Sequence, residues 1–203
     1  MKILGLTGPS GSGKAVVGAA FSSRGIPVLD TDAVYHGWID TKSACTEELK
    51  NAFGENILRE DGSVDRRRLA AIVFADDGNK DARLHTLNRI THRYVLESCQ
   101  EWLDEQKKSG RRAAVIDAPL LIEAEFHKWC DAVIAVLAPK DVRLARILLR
   151  DGISKEAAEA RISSQKPDSF YRAHADFVFM NDGKIVDADS FVEAVVLKTI
   201  FKE

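Results

Sequence analysis

The feature that most constrains this chain is a glycine-rich loop set between an apolar run and a helix. Lys2–Thr7 is β-compatible and leads into Gly8-Pro9-Ser10-Gly11-Ser12-Gly13-Lys14, and a helix-compatible stretch then runs to Arg24 with Gly25 as its stop. Glycines in such a loop let successive backbone N–H groups curl around an anion at the helix N-terminus, where the helix dipole favours negative charge. A second short apolar run, Ile26–Asp30, has Pro27 near its start, as an edge strand tolerates. It completes a strand–loop–helix–strand unit, the opening of a parallel α/β sheet.

The chain has 203 residues, 45% hydrophobic and 30% charged, enough for one sizeable domain and too few for two ordinary ones. Lys and Arg total 29 against 31 for Asp and Glu, so the formal charge of −2 exerts no global pull on nucleic acid or membrane. The longest clean apolar run, Ala132–Ala138, is seven residues, against the roughly 18 that a membrane-spanning helix needs. The amino terminus carries only Lys2 as a basic residue, and Gly5, Thr7, Gly8 and Pro9 interrupt its apolar stretch, so no signal peptide is expected and a cytoplasmic address is the default. Cys45, Cys99 and Cys130 are odd in number and widely spaced with no CxxC, which suggests neither a disulfide framework nor a zinc site.

From Ala33 to Lys108 the pattern is helical, with a turn at Asp61-Gly62, a helix N-cap at Asp65 and a long 3.6-residue period through Leu84, Leu87 and Ile90 toward Trp102 and Leu103. This last stretch reads as one long helix or two in series. Strands return at Ala113–Asp117 and Ala132–Leu137, continuous apolar runs of the kind covered on both faces, and a fifth is expected at Phe177–Met180. Helices are expected at about 140–150 and 154–165, and Asp189 or Ser190 is placed to cap a terminal helix whose apolar face runs through Val192, Val195, Val196 and Ile200.

Gly8-x-x-x-x-Gly13-Lys14 is the skeleton of a phosphate loop, in which Lys14 adds a point charge at the β- and γ-phosphates of a nucleotide. The motif calls for Ser or Thr next, because that hydroxyl coordinates magnesium, and Ala15 has no oxygen to offer. Magnesium keeps several waters and takes few protein ligands, so water can fill the vacancy at some loss of affinity and positioning. The chain has no N-K-x-D run, which removes the guanine signature of a GTPase. Val28-Leu29-Asp30-Thr31-Asp32 instead brings carboxylates to the carboxyl end of a parallel strand, where α/β sheets bind ligands. Asp32 suits proton abstraction from a substrate hydroxyl, or capping of a helix that starts at Ala33, and the two roles are compatible. Asp30 reads as structural. Arg143, Arg146 and Arg150 fall at i, i+3 and i+7 on one helix face, either a clamp on transferring phosphoryl groups or a solvated row paired with Asp141 or Asp151. Arg66-Arg67-Arg68 is a local basic cluster of which one or two can meet anionic groups of an acceptor. Trp38, Trp102 and Trp129 read as packing residues between helices and sheet, with Trp38 also a candidate wall for an acceptor.

These residues together resemble the dephospho-CoA kinase family. The likeness is carried by Gly5-Leu6-Thr7-Gly8, Gly11-Ser12-Gly13-Lys14, Gly25-Ile26-Pro27-Val28 leading to Asp30-x-Asp32, Asp61-Gly62-Ser63-Val64-Asp65-Arg66, Asp117-Ala118-Pro119-Leu120-Leu121-Ile122-Glu123, the spacing of Arg146, Arg150, Arg161 and Gln165, and Ala175-Asp176 with Asn181. It departs from the family at Ala15 and at His92-Arg93, where His-Pro is usual. Without that proline a continuous helix from Asp81 to Lys108 is permitted, and His92 is either packed or available to the acceptor.

The resemblance implies a P-loop α/β/α fold of the nucleoside-monophosphate-kinase type in one domain. It would have a five-stranded parallel sheet (core 1–32, 109–139 and 168–203), a helical acceptor-binding subdomain (33–108) and a short lid (140–167). It implies ATP-dependent phosphorylation of the ribose 3′-hydroxyl of dephospho-CoA to coenzyme A and ADP. Catalysis would rest on Asp32 as base with Lys14 and Arg146. The nucleotide would be held by Gly8, Gly11, Ser12, Gly13, Lys14, Ala15, Val16, Arg146, Arg150 and Asn181, and the acceptor by Asp32, Arg66, His92, Pro119 and Leu120. Magnesium would be held through phosphates and water, with Asp117 a water-mediated contact and no dedicated protein ligand set. No nucleic-acid or membrane partner is implied, and the chain would be a monomer or weak homo-oligomer. Two other readings remain at this stage: another nucleotide or nucleoside kinase of the same fold, or a non-catalytic nucleotide-binding regulator that Ala15 makes conceivable.

Overall fold

A computed structural model describes residues 1–182 and 188–200. All five expected strands form: β1 (Lys2–Thr7), β2 (Val28–Asp30), β3 (Ala113–Asp117), β4 (Ala132–Leu137) and β5 (Phe177–Met180) make one parallel sheet in the order β2-β3-β1-β4-β5. The helices are α1 (Lys14–Ser23), α2 (Thr31–Ile39), α3 (Ala44–Phe53), α4 (Arg66–Val73), α5 (Lys80–Lys108), α6 (Lys140–Asp151), α7 (Lys155–Ser163), α8 (Asp168–His174) and α9 (Ala188–Thr199). The chain divides into two compact units, one of Met1–Asp30 with Leu103 onward and one of Thr31–Trp102; α5 passes from the second into the first.

In the sheet unit, the period of two sorts side chains to opposite faces. Leu4 and Leu6 of β1 with Ile134 and Val136 of β4 pack against Val17, Ala20 and Phe21 of α1 and Val192 and Val195 of α9. Ala135 and Leu137 pack with Ile122 and with Tyr171 of α8 in a separate cluster. Helices therefore cover both faces, and every residue of β4 is buried. Phe21 alone, at 0% exposure, contributes about 1.5–3 kcal/mol by leaving water. Because β1 is central and its neighbours β3 and β4 run parallel to it, the carboxyl ends of three strands are presented together.

The helical unit has its own core of Ile39, Leu49, Ile57, Val64, Leu69, Val73 and Ile90. Local chemistry fixes its helix starts. Ser43 and Thr46 cap α3 reciprocally, and Asp65 accepts hydrogen bonds from the N–H groups of Arg67 and Arg68 at the start of α4, as the sequence predicts. The long periodic stretch is one continuous helix of 29 residues, with Arg93 in mid-helix where a proline would break the ladder.

Several expectations are corrected. Asp32 lies inside the first turn of α2, which already begins at Thr31, so it does not cap a helix starting at Ala33. Helix α9 begins at Ala188, placing Asp189 in its first turn, where it pairs with Arg24. Helix α8 was not anticipated: it has only seven residues and is positioned by Pro167 at its N-cap. Trp129 is 41% exposed, and Trp38 is held within the helical unit, its Nε1 donating to Ser98 Oγ at 2.8 Å and its ring 5.0 Å from that of Tyr94.

Candidate active site

The loop between β1 and α1 is built by left-handed backbone at Gly8, Gly11 and Gly13, with φ of 145°, 78° and 90°. Gly13 is the N-cap of α1, no side chain caps that end, and the first turn holds no acidic residue. The helix thus presents its positive end without a built-in anion. Lys14 is half-buried, whereas Ala15 and Val16 are exposed. Ser12 Oγ is buried and has no hydrogen-bond partner among the described residues.

Helix α6 and the end of β5 wall this loop. Arg146 Nη1 donates to the carbonyls of Gly11 at 3.2 Å and Ser12 at 3.1 Å, and its Nη2 donates to Asn181 Oδ1 at 2.9 Å. Asn181 Nδ2 in turn donates to Ser12 O at 2.9 Å, so loop, arginine and amide form a closed network. Arg143, one turn earlier, is 6% exposed; its Nε donates to Ser10 O at 3.0 Å and its Nη2 to Gln165 Oε1 at 2.6 Å. Burial pushes its guanidinium down from the ordinary value, with Asp168 and Tyr171 acting in the opposite sense. Arg150 reaches Ser10 Oγ at 3.3 Å but also pairs with Asp151, which Arg161 of α7 contacts too. The Arg150 hydrogen bond, followed by the other guanidinium contacts, holds the Asp151 carboxyl at about 2.

Of the sequence-predicted nucleotide set, Gly8 through Val16, Arg146, Arg150 and Asn181 are therefore assembled around one loop. Arg143 and Gln165 belong to the same cluster; the sequence places Arg143 in the arginine row of α6 and Gln165 at the lid spacing, but not against the backbone of Ser10. The usable signal for Arg143 was its spacing: it shares the buried face of α6 with Ile147, four residues on.

Beside the loop, the strand ends carry carboxylates. Asp117 ends β3 in register with Leu6 of β1 and with Asp30 at the end of β2. Thr7 Oγ1 donates to Pro119 O at 3.3 Å, tying the start of the loop to the turn after β3, where Leu120 is 51% exposed. No cluster of three or more His, Cys, Asp or Glu side chains suited to a metal exists among the described residues. Asp117 is the carboxylate that would lie nearest a magnesium ion carried in by nucleotide oxygens and water.

The predicted acceptor residues lie in the helical unit, apart from Pro119 and Leu120. Asp32 is exposed in the first turn of α2. Arg66 opens α4 and forms an ion pair with Asp40. His92 is half-buried on α5, and burial alone pushes its pKa below the ordinary 6.5.

A glycine loop that leads from the central strand of a parallel five-stranded sheet to a lysine at the start of the next helix, walled by an arginine helix, defines a P-loop kinase. Comparison with known proteins narrows the class. The dephospho-CoA kinase family model matches residues 2–187. The dephospho-CoA kinase of Arabidopsis thaliana is 35% identical over 198 residues, covering 98% of this chain and 84% of the relative. A Thermus thermophilus crystal structure superposes with TM-score 0.82 at 33% identity over 97% of both chains, and dephospho-CoA kinase from Campylobacter jejuni with TM-score 0.70 at 26% identity over 98% of both. The chain belongs to the dephospho-CoA kinase family, and it is a kinase with ATP as its phosphoryl donor.

Proposed function

We propose that this kinase transfers the γ-phosphoryl group of ATP to the ribose 3′-hydroxyl of dephospho-CoA, giving coenzyme A and ADP, the last step of coenzyme A synthesis. The observation that carries the reading is the family match over residues 2–187, which spans the phosphate loop with Lys14, the α6 arginines and Asn181. Lys14 and the loop amides hold the β- and γ-phosphates. Asp32 accepts the proton of the attacking hydroxyl. Arg146 and Arg150 offset charge that spreads over the γ-oxygens, and residues 140–167 act as a lid that excludes water. Arg66, His92, Pro119 and Leu120 bind the acceptor. A magnesium ion brought in with the nucleotide would supply further charge neutralisation, with Asp117 the neighbouring carboxylate. No helix among the described residues is long and apolar enough to cross a membrane. The protein works as a cytoplasmic monomer or weak homo-oligomer, without a nucleic-acid partner.

ADP release is measured with ATP and magnesium against dephospho-CoA, adenosine, uridine and nucleoside monophosphates. Selective turnover of dephospho-CoA is expected. Preference for another acceptor would make this a kinase of different substrate, and ATP binding without transfer to any of them would make it a regulator.

A further inference from the structure

We propose that Arg143 and Gln165 form a clamp on the backbone of Ser10 that holds the phosphate loop in its nucleotide-binding shape, which makes both of them positioning residues for ATP. The inference rests on the ATP-donor reading above and extends it to residues that touch no reacting atom.

Ser10 is gripped at both of its backbone polar groups, which belong to the two successive peptides that flank it. Its N–H donates to Gln165 Oε1 at 3.2 Å, and its carbonyl accepts from Arg143 Nε at 3.0 Å. Arg143 Nη2 closes the ring by donating to the same Gln165 oxygen at 2.6 Å. One loop residue is thus fixed by α6 and by the segment just after α7, elements that the sequence places more than 130 residues away.

Three observations separate this from an incidental contact. Arg143 is 6% exposed, and among the described residues the hydrogen bonds of its side chain go to neutral oxygens. A buried guanidinium held this way costs desolvation that neutral acceptors offset only in part, with Asp168 the charge that acts in the opposite sense, so a buried cation stands behind a loop built for an anion. The backbones also meet: a Cβ on Gly11 would lie 2.7 Å from Arg143 O, so the loop packs directly on the helix. Finally, the grip consumes the Ser10 N–H, which orients the Pro9–Ser10 peptide toward Gln165 and fixes the direction from which the next residues turn. The clamp is also a mechanical link, because it connects the nucleotide loop to the α6–α7 segment proposed as the lid.

The test is ADP affinity by calorimetry, with the Ser10 amide followed by NMR and the melting temperature recorded for each variant. Arg143→Lys keeps a cation but loses the planar fork that serves both acceptors. Gln165→Leu, at a half-buried position, removes the acceptor with little risk to the fold. Each is expected to raise the ADP dissociation constant about tenfold, with the double variant close to either single one because both break the same ring. Gln165→Glu retains an acceptor for both donors and is expected to stay within about twofold of wild type. The KM for dephospho-CoA should not move. A folded Gln165→Leu protein with wild-type ADP affinity, or strictly additive losses, overturns the clamp even if melting temperatures fall. Failure to phosphorylate dephospho-CoA while ADP still binds overturns the acceptor reading and leaves the clamp standing.

Discussion

Replacing Gly13 by alanine strains the backbone and also dismantles a side-chain network, and the two costs can be separated. Gly13 has φ of 90°, and a Cβ there would lie 2.2 Å from Asn181 Nδ2. The left-handed conformation costs an alanine about 1–2 kcal/mol. The clash expels the Asn181 amide, which gives up its bond to Ser12 O and its acceptance from Arg146 Nη2, both at 2.9 Å. Those losses are about 1 kcal/mol for the neutral bond and about 1.5–3 kcal/mol for the charged one. Gly13→Ala should therefore destabilise by about 4–5 kcal/mol, and Asn181→Ala, which loses the same bonds without strain, by about 3 kcal/mol. The double variant has nothing left to expel and should match Gly13→Ala alone, a coupling of about 3 kcal/mol in urea unfolding. Additivity within about 0.5 kcal/mol would refute the claim that Gly13 is required because Asn181 sits against it.

Other consequences are open to direct measurement. Ala15→Ser restores the missing hydroxyl and should lower the magnesium needed for half-maximal rate; an unchanged magnesium curve would show that the alanine costs no metal placement. Asp32→Asn should reduce kcat by about 10²–10⁴ with ADP affinity retained if this carboxylate is the base; single-turnover phosphoryl transfer at the wild-type rate would remove it from that role. His92 has a folded pKa below its unfolded 6.5, so the unfolded chain binds more protons between those values and stability falls as pH drops below about 6.5. His92→Gln should flatten that part of the stability profile, and a variant with the wild-type slope would assign the pH dependence to other groups.

The sheet was readable from its residues because β3 and β4 are unbroken apolar runs buried on both faces, and because the glycine loop fixes what precedes and follows it. Positions at helix starts were less so: the start of α2 at Thr31 absorbs Asp32 into the first turn, and that boundary depends on strand β2 ending one residue earlier. Helix α8 escaped because seven residues are too few for a helical period to emerge. In the site, the row Arg143, Arg146 and Arg150 was visible as a helix face, but its division of labour was not. Burial turns Arg143 and Arg146 onto loop and amide oxygens, while the exposed Arg150 shares Asp151 with Arg161. Spacing along a helix reports which side chains share a face; it does not report which distant peptide carbonyls that face will meet. Gln165 illustrates the same limit, since its bond to Ser10 closes a separation of 155 residues.

The central claim is the identity of the bond made. Incubating the purified protein with dephospho-CoA, ATP and magnesium, then resolving the products by mass spectrometry and phosphorus NMR, tests it without reference to any variant. Coenzyme A carrying a new phosphomonoester on the ribose 3′-oxygen is expected, formed one for one with ADP. ADP formed with dephospho-CoA recovered unchanged, or phosphate found at any other oxygen, would contradict it.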